Sequence, residues 1–251
     1  MKEPLLADDA FLADVQTARV EPGVRVWWLG QSSFLIQFEG HHLVVDPYLS
    51  DSLTREYAET DRPHVRITRR VIAPERLSFV DAVLVTHGHG DHLDEETLKA
   101  IGAPVLCPSR IVDVARERSG VEPIGLAEGE AAGIGNFQIE AVPAVHHGEH
   151  SVGYVITAGD RRIYHSGDTM WVDPGVDGVD LAIVPINGKL GNVDAVEAAR
   201  LAHQAGAKLA VPCHFDMFEF NTTTPDEFVA ECERLGQPYR VLQNGEQLSV
   251  G

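Results

Sequence analysis

Four side chains that bind metal ions well fall within the short segment Thr86–His92, which reads THGHGDH: His87, His89, Asp91 and His92. In a nearly extended loop, residues two apart project to the same side, so His87 and His89 can bind one ion. Asp91 and His92 follow where the chain turns and can point towards a second ion, while the intervening glycines permit the bends. Two neighbouring cations repel each other, so the site also needs a carboxylate from elsewhere in the chain and a hydroxide between the ions.

The flanking sequence places this cluster on a loop between a strand and a helix. The apolar run Ala82–Val85 before it predicts a buried strand, and Leu93–Leu98 after it predicts the first turns of a helix. An α/β sheet carries its ligands on loops of this kind. The alternative is a solvated histidine-rich loop, which the position directly after a buried strand disfavours.

Length and charge limit the classes of function. The chain has 251 residues, enough for one large core, so we expect a single domain over residues 1–251. Its formal net charge of −18 argues against nucleic acid and anionic membranes as partners. No apolar run approaches the roughly 20 residues that span a bilayer, and residues 1–9 carry acids where a secretory signal would be apolar.

The cysteines indicate a cytoplasmic protein. Three are present without CxxC spacing, which suggests neither a zinc ribbon nor a redox pair and fits a reducing compartment. Cys213 stands beside His214, so it is either a further metal ligand or a small buried residue. Because adjacent strand residues face opposite sides of a sheet, we expect the buried position.

The motif His-x-His-x-Asp-His after an apolar strand resembles the metallo-β-lactamase fold superfamily. Three later segments match, in order, the places from which that superfamily takes further ligands: Val142–His147, Tyr164–Thr169 and Val211–Asp216. The resemblance extends over about Val24 to Gly251. It implies an α/β fold, the four-layer αββα sandwich of the metallo-β-lactamase type.

The same resemblance implies two divalent metal ions. One would be bound by His87, His89 and His146, the other by Asp91, His92 and His214, with Asp168 bridging them. His147 remains an alternative to His146. Ligation by histidine and aspartate without thiolate suits zinc and tolerates manganese or iron. The implied catalytic residue is Asp91, which would also pass a proton to the leaving group.

Asp46 matches the aspartate that, in the superfamily, accepts a hydrogen bond from a ligand histidine. Such a carboxylate fixes the tautomer of the imidazole. The alternative is that Asp46 only begins a turn before Pro47. His165 has two similar interpretations: contact with a ligand or the substrate, or a buried and hydrogen-bonded side chain without a part in chemistry.

Two further segments supply candidates for substrate contact. The locally basic stretch at residues 62–71, if extended, presents His64 and Arg66 on one face, which would bind a phosphate or a carboxylate. The alternative is a solvated edge strand or an interface element. A glycine-rich loop after a predicted strand carries Asn187 and Lys189, which are candidates for contact with substrate oxyanions.

Within the superfamily, the nearest resemblance is to the L-ascorbate-6-phosphate lactonase-like branch. It rests on the motifs Tyr164–Asp168 and Pro212–Phe218, followed by Asn221 and Pro225–Phe228. The branch implies a homo-oligomeric hydrolase whose metal-bridging hydroxide attacks a lactone or another ester, including an anionic sugar-phosphate lactone. A phosphodiesterase or nuclease of the same fold is the second hypothesis. A metal-binding regulatory protein without turnover is the third.

Hydrophobic periodicity and turn residues predict the elements around these motifs. A helix is expected over residues 5–17. The predicted strands of an opening meander, a later hairpin and the C-terminal pair are Val24–Leu29, Phe34–Phe38, Leu43–Asp46, Val152–Thr157, Arg162–Tyr164, Tyr239–Leu242 and Gln247–Val250. His41 and His42 fall at a turn and are expected to be solvated. The predicted helix caps are Ser109, Asp194 and Thr224.

Overall fold

Two mixed β-sheets pack against each other in the computed structural model, which describes residues 1–148 and 150–251. In chain order the strands are β1 Val24–Gly30, β2 Ser33–Phe38, β3 His41–Val45, β4 Ala82–Leu84, β5 Val105–Pro108, β6 Ile124–Leu126, β7 Ala131–Ile134, β8 Phe137–Pro143, β9 Val152–Ala158, β10 Arg161–His165, β11 Leu181–Pro185, β12 Leu209–Cys213 and β13 Gln247–Val250. The helices are α1 Asp8–Ala18, α2 Ser52–Glu56, α3 Glu95–Ile101, α4 Val112–Ser119, α5 Ala195–Gln204 and α6 Asp226–Leu235. Short 3₁₀ turns occupy Pro74–Leu77, Ser109–Ile111 and Glu219–Asn221.

The strand order gives each sheet an antiparallel and a parallel part. The first sheet runs β13-β1-β2-β3-β4-β5-β6, and the second runs β12-β11-β10-β9-β8-β7. Pairing is parallel from β3 to β6 and from β10 to β12, and antiparallel elsewhere. Parallel strands carry their following loops at the same edge, so β4, β10 and β12 can deliver side chains to one place.

Successive side chains of β1 point to opposite faces of the first sheet, and helices cover the outer face. Trp27 faces outwards and meets Phe11 of α1, with ring centroids 6.4 Å apart. Trp28 faces the second sheet and contacts Phe34 and Phe215. The inner cluster also contains buried residues of α5 and α6, whereas the outer cluster of the first sheet contains those of α1, α3 and α4. The predicted four-layer αββα sandwich is therefore confirmed.

The predicted meander and hairpin are confirmed, with small shifts of their ends. β1, β2 and β3 pair antiparallel in succession, and β9 pairs antiparallel with β10. No helix in the two described ranges is both long and apolar enough to cross a bilayer. The sequence missed β6 and β7, because β6 is short and the alternating β7 contains only Ala, Gly and Ile.

Two local predictions are wrong. His42 is 3% exposed, because β3 begins at His41 and the ring of Phe79 packs edge-on against His42. The stretch at 239–242 forms only an isolated bridge through Tyr239. The basic stretch at 62–71, for which an edge strand was one of the open interpretations, forms isolated bridges through Arg66 and Thr68.

Of the three predicted helix caps, only Asp194 caps a helix. Its carboxylate accepts the backbone N–H of Glu197 at 2.8 Å, and the Glu197 carboxylate accepts the Asp194 N–H at 3.1 Å. Ser109 begins a 3₁₀ turn instead. Thr224 donates its hydroxyl to the Asp226 side chain, because α6 begins one residue later than predicted.

We expect Asp194→Ala to lower the free energy of unfolding by about 1 kcal/mol, because the backbone N–H of Glu197 at the start of α5 loses its acceptor. The matched control is Thr224→Ala, at the predicted cap that does not cap, with an expected change within about 0.5 kcal/mol. Urea unfolding monitored by circular dichroism measures both. Equal effects of the two substitutions on the free energy of unfolding would contradict the conclusion that Asp194 caps α5 and Thr224 does not cap α6.

Candidate metal centre

Four strands end beside one cluster of imidazoles and carboxylates. The side chains come from the loops that follow β4, β8, β10 and β12, namely His87, His89, Asp91, His92, His146, Asp168 and His214. Three overlapping groups of ligand atoms form within the described ranges, and the atoms of each group lie within 4.8 Å of one another. All seven residues that the sequence suggested as ligands therefore meet in space.

The first group consists of three imidazoles. Nδ1 of His89 lies 2.9 Å from Nε2 of His87 and 3.2 Å from Nε2 of His146. The rings of His87 and His146 are fully or almost fully buried. Three nitrogens converge on one point from two loops that are far apart in the sequence.

The second group consists of Asp91, His92 and His214. Oδ2 of Asp91 lies 3.8 Å from Nε2 of His92 and 3.6 Å from Nε2 of His214. Asp168 lies between the two groups. Its Oδ2 is 3.2 Å from Nε2 of His214 and 4.0 Å from Nε2 of His146, while its Oδ1 is 3.5 Å from Nε2 of His92.

Hydrogen bonds behind the rings determine which nitrogens face the centre. The Thr86 hydroxyl donates to Asp46 at 2.7 Å, so its oxygen is left to accept the Nδ1–H of His87 at 3.1 Å. Nδ1 of His146 donates to the carbonyl of Gly191 at 3.0 Å. In both rings Nε2 is therefore the unprotonated atom, and its lone pair points at the cluster.

Asp46 organises the other side of the centre. Its carboxylate accepts the backbone N–H and the hydroxyl of Thr86, both at 2.7 Å, and the Nδ1–H of His92 at 2.8 Å. The residue is completely buried and has a positive φ of 44°. It thus makes the imidazole contact that the resemblance implied, and it fixes the His92 tautomer with Nε2 towards Asp168.

The donor set fits a divalent cation. Nε2 of His92 and Oδ1 of Asp168 are buried without a well-formed hydrogen bond and lie 3.5 Å apart. Bringing two such atoms together is favourable only with positive charge between them. The nitrogen spacings of 2.9 and 3.2 Å also approach the value of about 3.3 Å expected for two imidazoles on a tetrahedral zinc ion.

The pKa shifts within the cluster also favour a bound cation. Burial lowers the pKa of His87 well below its usual value, and the neighbouring His92 adds to this effect. Burial opposes charge on His92 as well, but the surrounding carboxylates, Asp168 above all, outweigh it and raise that pKa well above its usual value. Despite burial, His214 and His92 hold the pKa of Asp168 well below its usual range. The bridging position is therefore anionic at neutral pH and attracts positive charge.

Gln31 orients Asp91, the remaining carboxylate of the centre, and no sequence motif pointed to this residue. Its side-chain Nε2 donates to Oδ2 of Asp91 at 2.7 Å, and its backbone carbonyl accepts the N–H of His214 at 3.0 Å. Gln31 is fully buried and has a positive φ of 50°. The turn between β1 and β2 thereby positions residues of two other loops.

Gly191 is a second residue that the sequence did not suggest. Its carbonyl accepts from His146, and its φ is +93°. A Cβ at this position would lie 2.8 Å from the ring of His147 and 3.2 Å from that of His146. His147 is exposed and belongs to none of the ligand groups found in the described ranges. Cys213 is buried and also lies outside these groups.

His165 uses both ring nitrogens within the fold. Nδ1 accepts the backbone N–H of Gly167 at 3.1 Å, so the proton is on Nε2, which donates to the carbonyl of Ser32 at 2.9 Å. Gly167 has a φ of +61°, and a Cβ there would lie 2.7 Å from Thr86. His165 thus supports the turn that carries Asp168.

The other residues suggested for substrate contact hold loops together. The guanidinium of Arg66 is buried and donates to the carbonyls of Tyr48 and Ser50. Nζ of Lys189 donates to the carbonyls of Phe220 and Thr222 at 3.2 Å each. The remaining two are Asn187, whose amide donates to Asn221 at 2.8 Å, and His64, which lines the cavity beside the centre.

Known proteins that resemble this chain in sequence or fold include metal-dependent hydrolases. Residues 41–215 match the family model described as the beta-lactamase superfamily domain. A UPF0173 metal-dependent hydrolase of Archaeoglobus fulgidus is 30% identical over 89% of this chain and 97% of its own length. Another from Opitutus terrae is 28% identical over 90% of this chain and its whole length. The solved structure of an isothiocyanate hydrolase from Delia radicum gut bacteria superposes with a TM-score of 0.73 at 20% identity, covering 90% of this chain and 100% of that one.

We predict that Asp46→Asn weakens zinc binding by about 10- to 100-fold, because the amide presents N–H groups where Thr86 and His92 need an acceptor. Competition with a chromophoric chelator measures the affinity. Asp113→Asn, on the exposed face of α4, serves as the control and should bind zinc like the wild type. Wild-type affinity in Asp46→Asn would show that this carboxylate does not support the centre.

Proposed function

This chain belongs to the metallo-β-lactamase superfamily of metal-dependent hydrolases, and from that premise we propose that it hydrolyses a lactone or a related ester at a centre of two divalent cations. The observation that carries the proposal is the position of Asp168. Its two oxygens face different imidazoles, with Oδ1 3.5 Å from His92 and Oδ2 3.2 Å from His214 and 4.0 Å from His146. A carboxylate in this position is suited to bridge two ions.

The two ions would be held by the residues of the two groups. His87, His89 and His146 would hold one, Asp91, His92 and His214 the other, and Asp168 both. When bound, divalent cations lower the pKa of a coordinated water towards about 7 and polarise an electrophilic oxygen. Zinc is the metal that an all-histidine and aspartate donor set favours, with manganese or iron tolerated.

The protein residues would orient the substrate and move protons. Asp91, Asp168, His89, His146 and His214 line a cavity of about 380 Å³, which is large enough for a small molecule. Asp91 is the more open of the two carboxylates, with 16% of its side chain exposed against 5% for Asp168. We therefore assign proton transfer to the leaving group to Asp91, whose orientation Gln31 fixes.

Charge favours a carboxylic ester over a phosphodiester. The chain has a net charge of −18, and the cationic side chains expected to bind an anion, Arg66 and Lys189, instead donate to backbone carbonyls. A nucleic acid substrate would need several phosphate contacts from lysine or arginine. These observations support a small substrate without several negative charges.

His146→Ala is predicted to lose zinc and to lower kcat/KM on δ-valerolactone by more than about 100-fold. Loss of a residue that only hydrogen-bonds a metal ligand already lowers metal affinity or activity by about 10- to 100-fold, and His146 would be a ligand itself. The matched control, His147→Ala, removes the neighbouring exposed imidazole and should retain zinc and activity. Zinc is counted by plasma mass spectrometry, and turnover is followed by pH-stat titration.

Loss of zinc and activity in His147→Ala, with both retained in His146→Ala, would show that His147 is the ligand instead of His146. Bound zinc with turnover of bis-p-nitrophenyl phosphate, but not of any lactone, would make the protein a phosphodiesterase. Bound zinc without hydrolysis across a broad ester panel would support a regulatory metal-binding protein.

Gln31→Met should retain zinc but lower kcat by about tenfold, because Asp91 loses the N–H that orients it while the backbone contacts of residue 31 remain. Zinc content and steady-state kinetics on δ-valerolactone test this. A normal kcat would show that the orientation of Asp91 does not limit turnover.

A further inference from the structure

One wall of the cavity beside the metal centre is made of rings. Tyr57, His64, Phe218 and Phe220 line this wall, and Leu53 and Leu190 are the aliphatic residues of the lining. The imidazoles and carboxylates of the centre lie in the same cavity. A substrate whose scissile bond reaches the centre can therefore place another part of the molecule against this apolar surface.

The rings form a packed array around His64. Its centroid lies 4.2 Å from that of Tyr57, 5.0 Å from that of Phe218 and 4.5 Å from that of Phe220. Phe218 and Phe220 are nearly parallel, with an angle of 14° between their planes and 6.1 Å between centroids. Such spacings are those at which aromatic rings attract one another through their edges and faces.

Hydrogen bonds hold the backbone behind the rings. The hydroxyl of Thr54 donates to the carbonyl of His64, and Nδ1 of His64 donates to the carbonyl of Arg62 at 2.9 Å. Nζ of Lys189 donates to the carbonyl of Phe220, which fixes the loop that carries Leu190 against the aromatic wall. The wall is thus formed before any ligand binds, which lowers the entropic cost of binding.

The charges of the cavity do not favour an anion at this wall. Arg66, on the basic stretch, donates to the carbonyls of Tyr48 and Ser50 and pairs with Asp51 at 2.9 Å. The exposed residues of the lining include Asp61 and Arg62, which are adjacent and opposite in charge. A neutral group is therefore the better match for the wall.

We propose that this wall binds an aromatic ring of the substrate, so that the substrate class is an aryl-substituted lactone or ester rather than a sugar-phosphate lactone. The hydrolytic part rests on the proposed function, whereas ring binding by the wall does not. An aromatic pair gains affinity beyond its buried area by an amount that corresponds to about a two- to tenfold difference in Kd.

Two δ-lactams that resist hydrolysis test ring binding directly. They are 6-phenylpiperidin-2-one and 6-cyclohexylpiperidin-2-one, titrated into the zinc-loaded protein by ligand-observed NMR. The cyclohexyl group is the bulkier apolar group, so burial alone favours the cyclohexyl ligand. We expect the phenyl ligand to bind at least about threefold more tightly. Equal or weaker binding of the phenyl ligand, or no binding of either, would overturn the proposal.

Phe220→Leu separates aromatic from merely apolar contact. The substitution keeps an apolar side chain and the backbone carbonyl that accepts from Lys189, but it removes the ring. It should reduce the preference for phenyl over cyclohexyl, because one of the four rings of the wall is removed. Phe79→Leu is the matched control, because Phe79 is a partly exposed phenylalanine outside this cavity, and it should leave the preference unchanged. A preference that is undiminished in Phe220→Leu would also overturn the proposal.

The corresponding lactones separate this inference from the proposed function. Binding of the phenyl lactam in the predicted order, without turnover of either lactone, would support the aromatic site and reject lactone hydrolysis. Turnover of both lactones without a preference among the lactams would support hydrolysis and reject the aromatic site.

Discussion

Imidazole nitrogens and carboxylate oxygens are packed within a few ångströms of one another, and this arrangement needs positive charge between them. Nε2 of His92 and Oδ1 of Asp168, 3.5 Å apart and buried, are the clearest pair. Neither atom can turn away, because Asp46 holds the far side of His92 and the turn at Gly167 holds Asp168. The rest of the fold is arranged to keep these acceptors in place.

Much of the unusual backbone geometry lies at this centre. Positive φ angles occur at Gln31, Asp46 and His214, which are neither glycine nor asparagine and which contact the cluster or belong to it. Such conformations are costly and persist where surrounding contacts determine them. Here those contacts are the carboxylate of Asp46 on Thr86 and the carbonyl of Gln31 on His214. Part of the backbone strain therefore lies where orientation matters for binding an ion.

The fold and the cluster could be predicted from sequence because their signals are local. Spacing within Thr86–His92 identified four of the residues that meet in space, and the resemblance to the metallo-β-lactamase superfamily implied the other three, His146, Asp168 and His214. The supports of the cluster were not predictable in this way. Gln31 is 60 residues from Asp91, and the Gly191 carbonyl is 45 residues from His146, so no local pattern connects them.

The substrate side was the least predictable. A locally basic stretch suggested an anion site, but Arg66 is drawn inwards by the carbonyls of Tyr48 and Ser50, which its own sequence neighbours do not reveal. The aromatic wall combines Tyr57 and His64 with Phe218 and Phe220, from segments about 150 residues apart. Only the packing of these segments on each other creates the cavity.

Anomalous diffraction at the zinc edge, from crystals of the zinc-loaded protein, tests the central claim most directly. We expect two peaks, one among His87, His89 and His146 and the other among Asp91, His92 and His214, with Asp168 between them. A single peak, or peaks away from these residues, would contradict a paired-cation centre.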